Sequence, residues 1–197
     1  MTAISPFVSA LGAELERLAP TVKGHLRQAS GESLFAGRLR DRWRRGGPIG
    51  WLLARILRVD FGAIEASARF ELRNALLEGD TMLWRRTLLG ARRTIDNLGV
   101  MRWDDRRQAL VDTIGRGRAI EVELVPSVED AGMKLTSRGQ WLRVLGLRIP
   151  LPRWIAGSAV VREREEPGGR MTLVLTLHHP WLGAYAGYEA ELEEASS

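Results

Sequence analysis

The sequence has no cysteine among its 197 residues, which excludes disulfides, thiolate metal sites and a cysteine nucleophile. Histidine is nearly as scarce: His25, His178 and His179 are the whole set. The last two are adjacent at the end of an apolar stretch, and neighbours on a strand point to opposite faces. They are poorly placed to share a metal ion, and neither a metal nor another cofactor is expected. No apolar run approaches the ~20 residues of a membrane-spanning helix. The first residues lack a basic leader region and carry Glu14 and Glu16, a poor secretory signal. A cytoplasmic location, with membrane-peripheral contact as an option, is the expectation. The sequence also lacks a phosphate-binding loop, a dinucleotide fingerprint, a zinc motif and a nucleophile elbow.

The net charge of +5 is unevenly spread. Residues 1–61 hold ten Lys/Arg and five Asp/Glu, whereas residues 62–197 hold nineteen of each. Such asymmetry can mark an anionic partner, but solvated helix faces account for it as well. The larger, charge-neutral part makes nucleic acid an unlikely partner.

What the chain does contain is alternation. Ile64, Ala66, Ala68, Phe70 and Leu72 share one face of an extended segment, and Glu65, Ser67, Arg69, Glu71 and Arg73 share the other. That is the pattern of a strand between a core and water. Similar segments follow at 81–89, 91–96, 98–103, 107–114, 118–125, 132–139, 141–148, 158–165, 171–179 and 183–192. Turn residues separate them, including Gly79-Asp80, Asp96-Asn97 and Pro167–Gly169. Neighbouring pairs of segments can be single bent strands.

Before residue 62 the spacing is helical. Ser5-Pro6 reads as a helix start, followed by Phe7, Val8, Leu11, Leu15 and Leu18, with Pro20 as the stop. A second short helix runs from Pro20 to Gln28. The basic cluster Arg38–Arg45 follows, and then Ile49 to Val59, an amphipathic helix for which ordinary packing across the sheet mouth is the favoured reading and contact with an anionic membrane the alternative. The expected fold class is α+β: N-terminal helices packed on a large curved antiparallel β-sheet or open barrel, lipocalin-like or cup-like. The expected organisation is one domain, with a helical segment over 1–61, the sheet or barrel over 62–192 and a tail over 193–197.

Two residues stand out chemically. Met82, Trp84, Arg86 and Leu88 share a strand face, so an inward face would bury a guanidinium. Gln108, Leu110, Asp112 and Ile114 form a second mixed face, and Asp112 is the candidate partner for Arg86. The functional reading makes Arg86 an anchor for a polar ligand group and Asp112 a general acid or base. The plainer reading of Arg86, a structural ion pair or a strand whose inward face is Leu83 and Thr87, carries more weight; the plainer reading of Asp112 is a turn-proximal solvated carboxylate. Seven tryptophans are many for this length. Trp84, Trp103 and Trp141, with Tyr188, are candidate walls of an apolar pocket.

Several strand motifs together resemble a known family. They are Trp84-x-Arg86-x-Leu88, Leu110-Val111-Asp112-Thr113-Ile114-Gly115, Leu145-Gly146-Leu147-Arg148-Ile149-Pro150-Leu151-Pro152, and Pro180-Trp181-Leu182-Gly183 with Tyr188. The chain is similar, from about Ser5 to Leu192, to a bacterial domain-of-unknown-function family. Its members occur alone or behind a saccharopine-dehydrogenase-like NAD(P)-binding domain. This chain differs from the family pattern in having Leu88 where Phe is usual, Asp112 where Glu is frequent and Ala190 where Gly is usual. The resemblance implies a β-rich, cup-like domain and supplies no activity.

Three functions follow as expectations. The first is binding of a hydrophobic small molecule or lipid in a β-rich cavity. The second is an isomerase-, cyclase- or hydratase-type enzyme acting on a hydrophobic substrate through Asp112 and Arg86. The third, implied by the family's domain arrangement, is docking on a dehydrogenase-like protein partner.

Overall fold

The computed structural model describes residues 4–27, 31–45, 47–48, 64–65, 67–114 and 119–195. The expected amphipathic segment, Ile49 to Val59, lies outside the described residues. Among the described residues no helix is long and apolar enough to cross a membrane.

Among the described residues, eleven antiparallel strands follow a short helical N-terminus. The strands are β1 (Glu32–Arg44), β2 (Arg69–Leu76), β3 (Thr81–Leu89), β4 (Thr94–Asp104), β5 (Ala109–Ile114), β6 (Ile120–Glu129), β7 (Gly132–Val144), β8 (Leu147–Pro150), β9 (Ser158–Glu166), β10 (Arg170–His179) and β11 (Gly183–Glu194). Their order is β6-β5-β4-β3-β2-β1-β11-β10-β9-β7, and β7 pairs back onto β6. Ten strands therefore close into a barrel, and β8 hangs on β7 as the outer arm of a hairpin. Closure removes the unpaired edges that an open sheet would present.

The helices are α1 (Pro6–Leu11), a 3-10 turn (Gly12–Arg17) and α2 (Pro20–Arg27). Pro6 opens α1, and the Ser5 hydroxyl caps it by accepting from the Phe7 amide. Phe7, Leu11, Val22 and Leu26 are buried in the same core as the inward strand residues. These helices plug one end of the barrel, beside the start of β1 and the end of β9. The opposite end, where β5 stops and β6, β9 and β11 begin, is the mouth. A four-residue helix, labelled α3 (Arg153–Ala156), sits beside it.

The chain is thus a β-barrel with a few helices, richer in strand than the expected α+β arrangement. The expected helical segment over 1–61 is corrected at Glu32–Arg44, which is strand. Phe35 and Leu39 are buried, and Arg38 and Arg40 between and beyond them are exposed. Pairing with β2 on one side and β11 on the other satisfies the backbone of a segment too arginine-rich to bury as a helix. The expected turn at Asp96-Asn97 is also corrected: 91–96 and 98–103 merge into β4. Asp96 instead receives a two-pronged contact from Arg85 on β3, at 2.9 and 2.8 Å.

Candidate functional site

β3 places its side chains as alternation requires. Met82, Trp84, Arg86 and Leu88 are buried, and Arg85 is exposed. On β5, Leu110 and Asp112 face the same interior. The two charged residues meet there: an Arg86 Nη2 lies 3.9 Å from Asp112 Oδ2. At that separation they attract without sharing a hydrogen bond. Among the described residues Asp112 Oδ1 and Arg86 Nε find no hydrogen-bond partner.

Burial drives the chemistry of Asp112. Loss of solvent pushes its carboxyl up to about 6, and the nearby Arg86 charge only partly opposes that. Gly99 on β4 makes the room: a methyl group there would come within 2.5 Å of Asp112 Oδ1. The Arg86 guanidinium also lies 5.4 Å from the centre of the Trp84 ring, close enough for a cation–π contact. Tyr188 on β11 is fully buried against Phe70, with ring centres 5.3 Å apart. Burial raises its hydroxyl above the usual phenol range, while the charge of Arg86 and a hydrogen bond from it pull the other way.

A second polar layer lies toward the plug. Glu163 on β9 has no solvent exposure, and neither carboxylate oxygen has a hydrogen-bond partner among the described residues. His25 of α2 approaches it at 3.7 Å, and the Asn74 amide nitrogen is 3.2 Å from a His25 ring nitrogen. The His25 ring packs edge-on against Phe35 and Trp84. Sequence reasoning passed over Glu163, His25 and Asn74. Glu163 was legible in principle, because it continues the inward phase of Ala159 and Val161 inside the charged run Arg162 to Glu166.

Above Asp112, toward the mouth, the lining turns apolar. Ile114, Ile120, Val122, Ala159 and Leu177, with Gln140 and Ser158, line a cavity of about 60 Å³. Val122 is the direct cross-strand neighbour of Asp112 and also of Gln140, which ties this cavity to the charged pair. Two wider depressions, of about 280 and 460 Å³, are open grooves walled largely by charged residues such as Arg38, Glu191, Arg164 and Glu165.

The structure separates the remaining predicted wall residues. Trp84 is interior but sealed, packed edge-on against Phe7 of α1 at 5.6 Å. Trp103 stands at the plugged end and donates its indole N–H to Asp105 at 2.6 Å. Trp141 is outside the barrel, with the Arg148 guanidinium 3.7 Å from its ring centre. The reason is a bulge. Glu123 and Leu124 pair with Gly139 and Ser137, which leaves Arg138 as the extra residue in β7. Before it Met133, Leu135 and Ser137 point inward; after it Gln140 does, and Trp141 is turned out. There it joins a surface network in which Arg107 and Arg148 hold Glu121 at 2.9 and 2.7 Å.

Comparison with known proteins adds a family and no activity. A family model described as "Domain of unknown function (DUF4166)" matches residues 18–192, and the chain belongs to that family. It is also similar to the "Uncharacterized protein YndH" of Bacillus subtilis (strain 168), at 30% identity over 115 residues. The match covers 56% of this chain and 55% of the relative, so the chain spans about half the length of the curated relative it matches.

Proposed function

For a member of a family that carries no assigned activity, we propose that the barrel binds a hydrophobic small molecule or one end of a lipid at its mouth. The observation that carries this reading is the apolar cavity of Ile114, Ile120, Val122, Ala159 and Leu177, whose wall residue Val122 is the cross-strand neighbour of Asp112, itself 3.9 Å from Arg86. Apolar walls with a few convergent polar groups are the general make-up of small-molecule sites. At about 60 Å³ the cavity suits a chain end or a small ring rather than a whole lipid. Arg86, with Asp112 and Tyr188 beside it, supplies the polar floor. Trp103 and Trp141 have no part in the site.

A second reading has its own support. Asp112, held near 6 by burial against the partial opposition of Arg86, would serve as a general acid or base at neutral pH. Arg86 would then stabilise negative charge developing on a substrate oxygen. An isomerase- or hydratase-type reaction on a hydrophobic substrate fits that pair.

Native mass spectrometry of the purified protein, followed by titration with a fluorescent medium-chain fatty acid, tests the binding reading. A stoichiometric adduct or saturable binding is expected, lost in Arg86→Ala and in the cavity-filling Ala159→Leu. An apo mass together with no probe binding by well-folded wild-type protein overturns it. Ala159→Leu keeps the test decisive if Arg86→Ala fails to fold.

A further inference from the structure

Beside the mouth, the protein exposes apolar side chains in an unusual concentration. Leu145 is 97% exposed, Trp181 75%, Leu147 66% and Trp154 56%, with Ile149 and Ile155 also exposed. They come from the β7–β8 hairpin, from α3 and from the β10–β11 turn. His179 holds the last two together: its Nε2 lies 2.9 Å from the Trp154 carbonyl, and its Nδ1 accepts from the Trp181 amide at 3.3 Å. The Trp154 and Trp181 rings lie 6.5 Å apart.

The hairpin tip sharpens the point. Leu145 and Gly146 form a two-residue turn, with φ of 50° and 81°. Turns of this kind favour Asn, Asp or Gly at both positions, because a side chain at positive φ is strained. A leucine there accepts that strain and places its whole side chain in solvent. Neither the strain nor the exposure contributes to folding among the described residues, which is what a docking residue would show.

Charge identifies the partner. From Arg138 to Gly157 the chain carries four arginines (138, 143, 148 and 153) and no Asp or Glu. Arg148 is held by Glu121 and Glu123, but among the described residues Arg143 and Arg153 lie in no ion pair with a carboxylate. Exposed Trp and Leu flanked by cations match a bilayer interface. Apolar side chains enter the acyl boundary, indole rings sit at headgroup depth, and arginines meet anionic lipid. We propose that the rim formed by the β7–β8 tip, Trp154 and Trp181 docks the barrel mouth on an anionic phospholipid surface. This deepens the reading of the mouth as a hydrophobic-ligand site, since it would admit a chain end directly from the bilayer.

The test is co-sedimentation with vesicles of phosphatidylcholine, with and without phosphatidylglycerol. Wild-type protein is expected to bind the mixed vesicles, to bind less at high salt, and to weaken by about tenfold or more in Leu145→Asp/Leu147→Asp. Arg143→Glu/Arg153→Glu should remove the preference for phosphatidylglycerol. These sites are exposed, so unchanged circular dichroism is expected to accompany the loss. Binding that is indifferent to both variants overturns the proposal. So does a wild-type protein that ignores vesicles but forms a dimer, or a complex with another protein, that Leu145→Asp/Leu147→Asp dissolves. Fatty-acid binding in vesicle-free solution is read separately, so failure of docking and failure of the cavity reading remain distinguishable.

Discussion

At the scale of single residues, the most telling position is Asp112. Its carboxyl is raised in the folded protein to about 6, whereas in the unfolded chain it titrates near the ordinary aspartate value. Below the unfolded value both states hold the proton, and the stability contributed by this group is fully present. As pH rises toward 6 the unfolded chain releases its proton first, so stability is lost. Across the window the loss from this one group is on the order of 3 kcal/mol, since each tenfold difference in proton affinity between the two states is worth about 1.4 kcal/mol. Asp96, Glu129 and Glu191 are lowered by Arg85, Lys134 and Arg40 respectively, and act in the opposite sense. The signature is therefore a difference between two proteins. Asp112→Asn should be more stable than wild type at pH 7.5 and lose that advantage by pH 4, as read from urea denaturation at each pH. A constant offset between the two curves would mean that Asp112 does not titrate as its burial implies.

Elements explain what the sequence disclosed and what it hid. The inward face of β3 was legible because its alternation runs without a break, and the Arg86–Asp112 proximity followed because both residues interrupt apolar faces. Trp141 was misread because one bulged residue, Arg138, reverses the phase of β7, and period-two spacing cannot announce a bulge in advance. β1 was misread because four arginines in thirteen residues obscure the alternation of Phe35, Gly37 and Leu39. Glu163 was hidden because a carboxylate inside a charged run looks solvated. The helices teach the complementary lesson. α1 has only six residues, too few to persist alone, so its structure depends on what Phe7 and Leu11 bury. Phe7→Ala would empty the contact with Trp84 and should cost about 3–5 kcal/mol, the usual range for a buried phenylalanine. Urea denaturation followed through tryptophan emission checks it. A loss below about 1 kcal/mol would mean that the plug is peripheral to the core.

For the whole molecule, the closed ring sets the behaviour. β1 pairs with β11, with Phe35 opposite Glu194, so the ring needs strands from both ends of the described chain. β6 pairs with both β5 and β7, which leaves no free seam on that side. Removing any one of the ten strands would expose two edges and the interior charges together, including Glu163, whose carboxylate lies 3.7 Å from His25 of the plug. A partly opened barrel therefore loses backbone pairing, apolar burial and plug contacts in one step, and it gains little chain entropy until the rest follows. The helices share this fate, since the same apolar cluster contains Phe7, Leu26, Trp84 and Leu173. Calorimetry should accordingly show one transition whose calorimetric and van't Hoff enthalpies agree. Its heat-capacity increment should be about 2.5 kcal/mol/K, the amount due when a chain of this length melts as one unit. An early transition of small enthalpy would show that the N-terminal plug leaves before the barrel opens. The proposed cavity would then be open from both ends of the barrel, and the polar layer of His25 and Glu163 would be reachable from below.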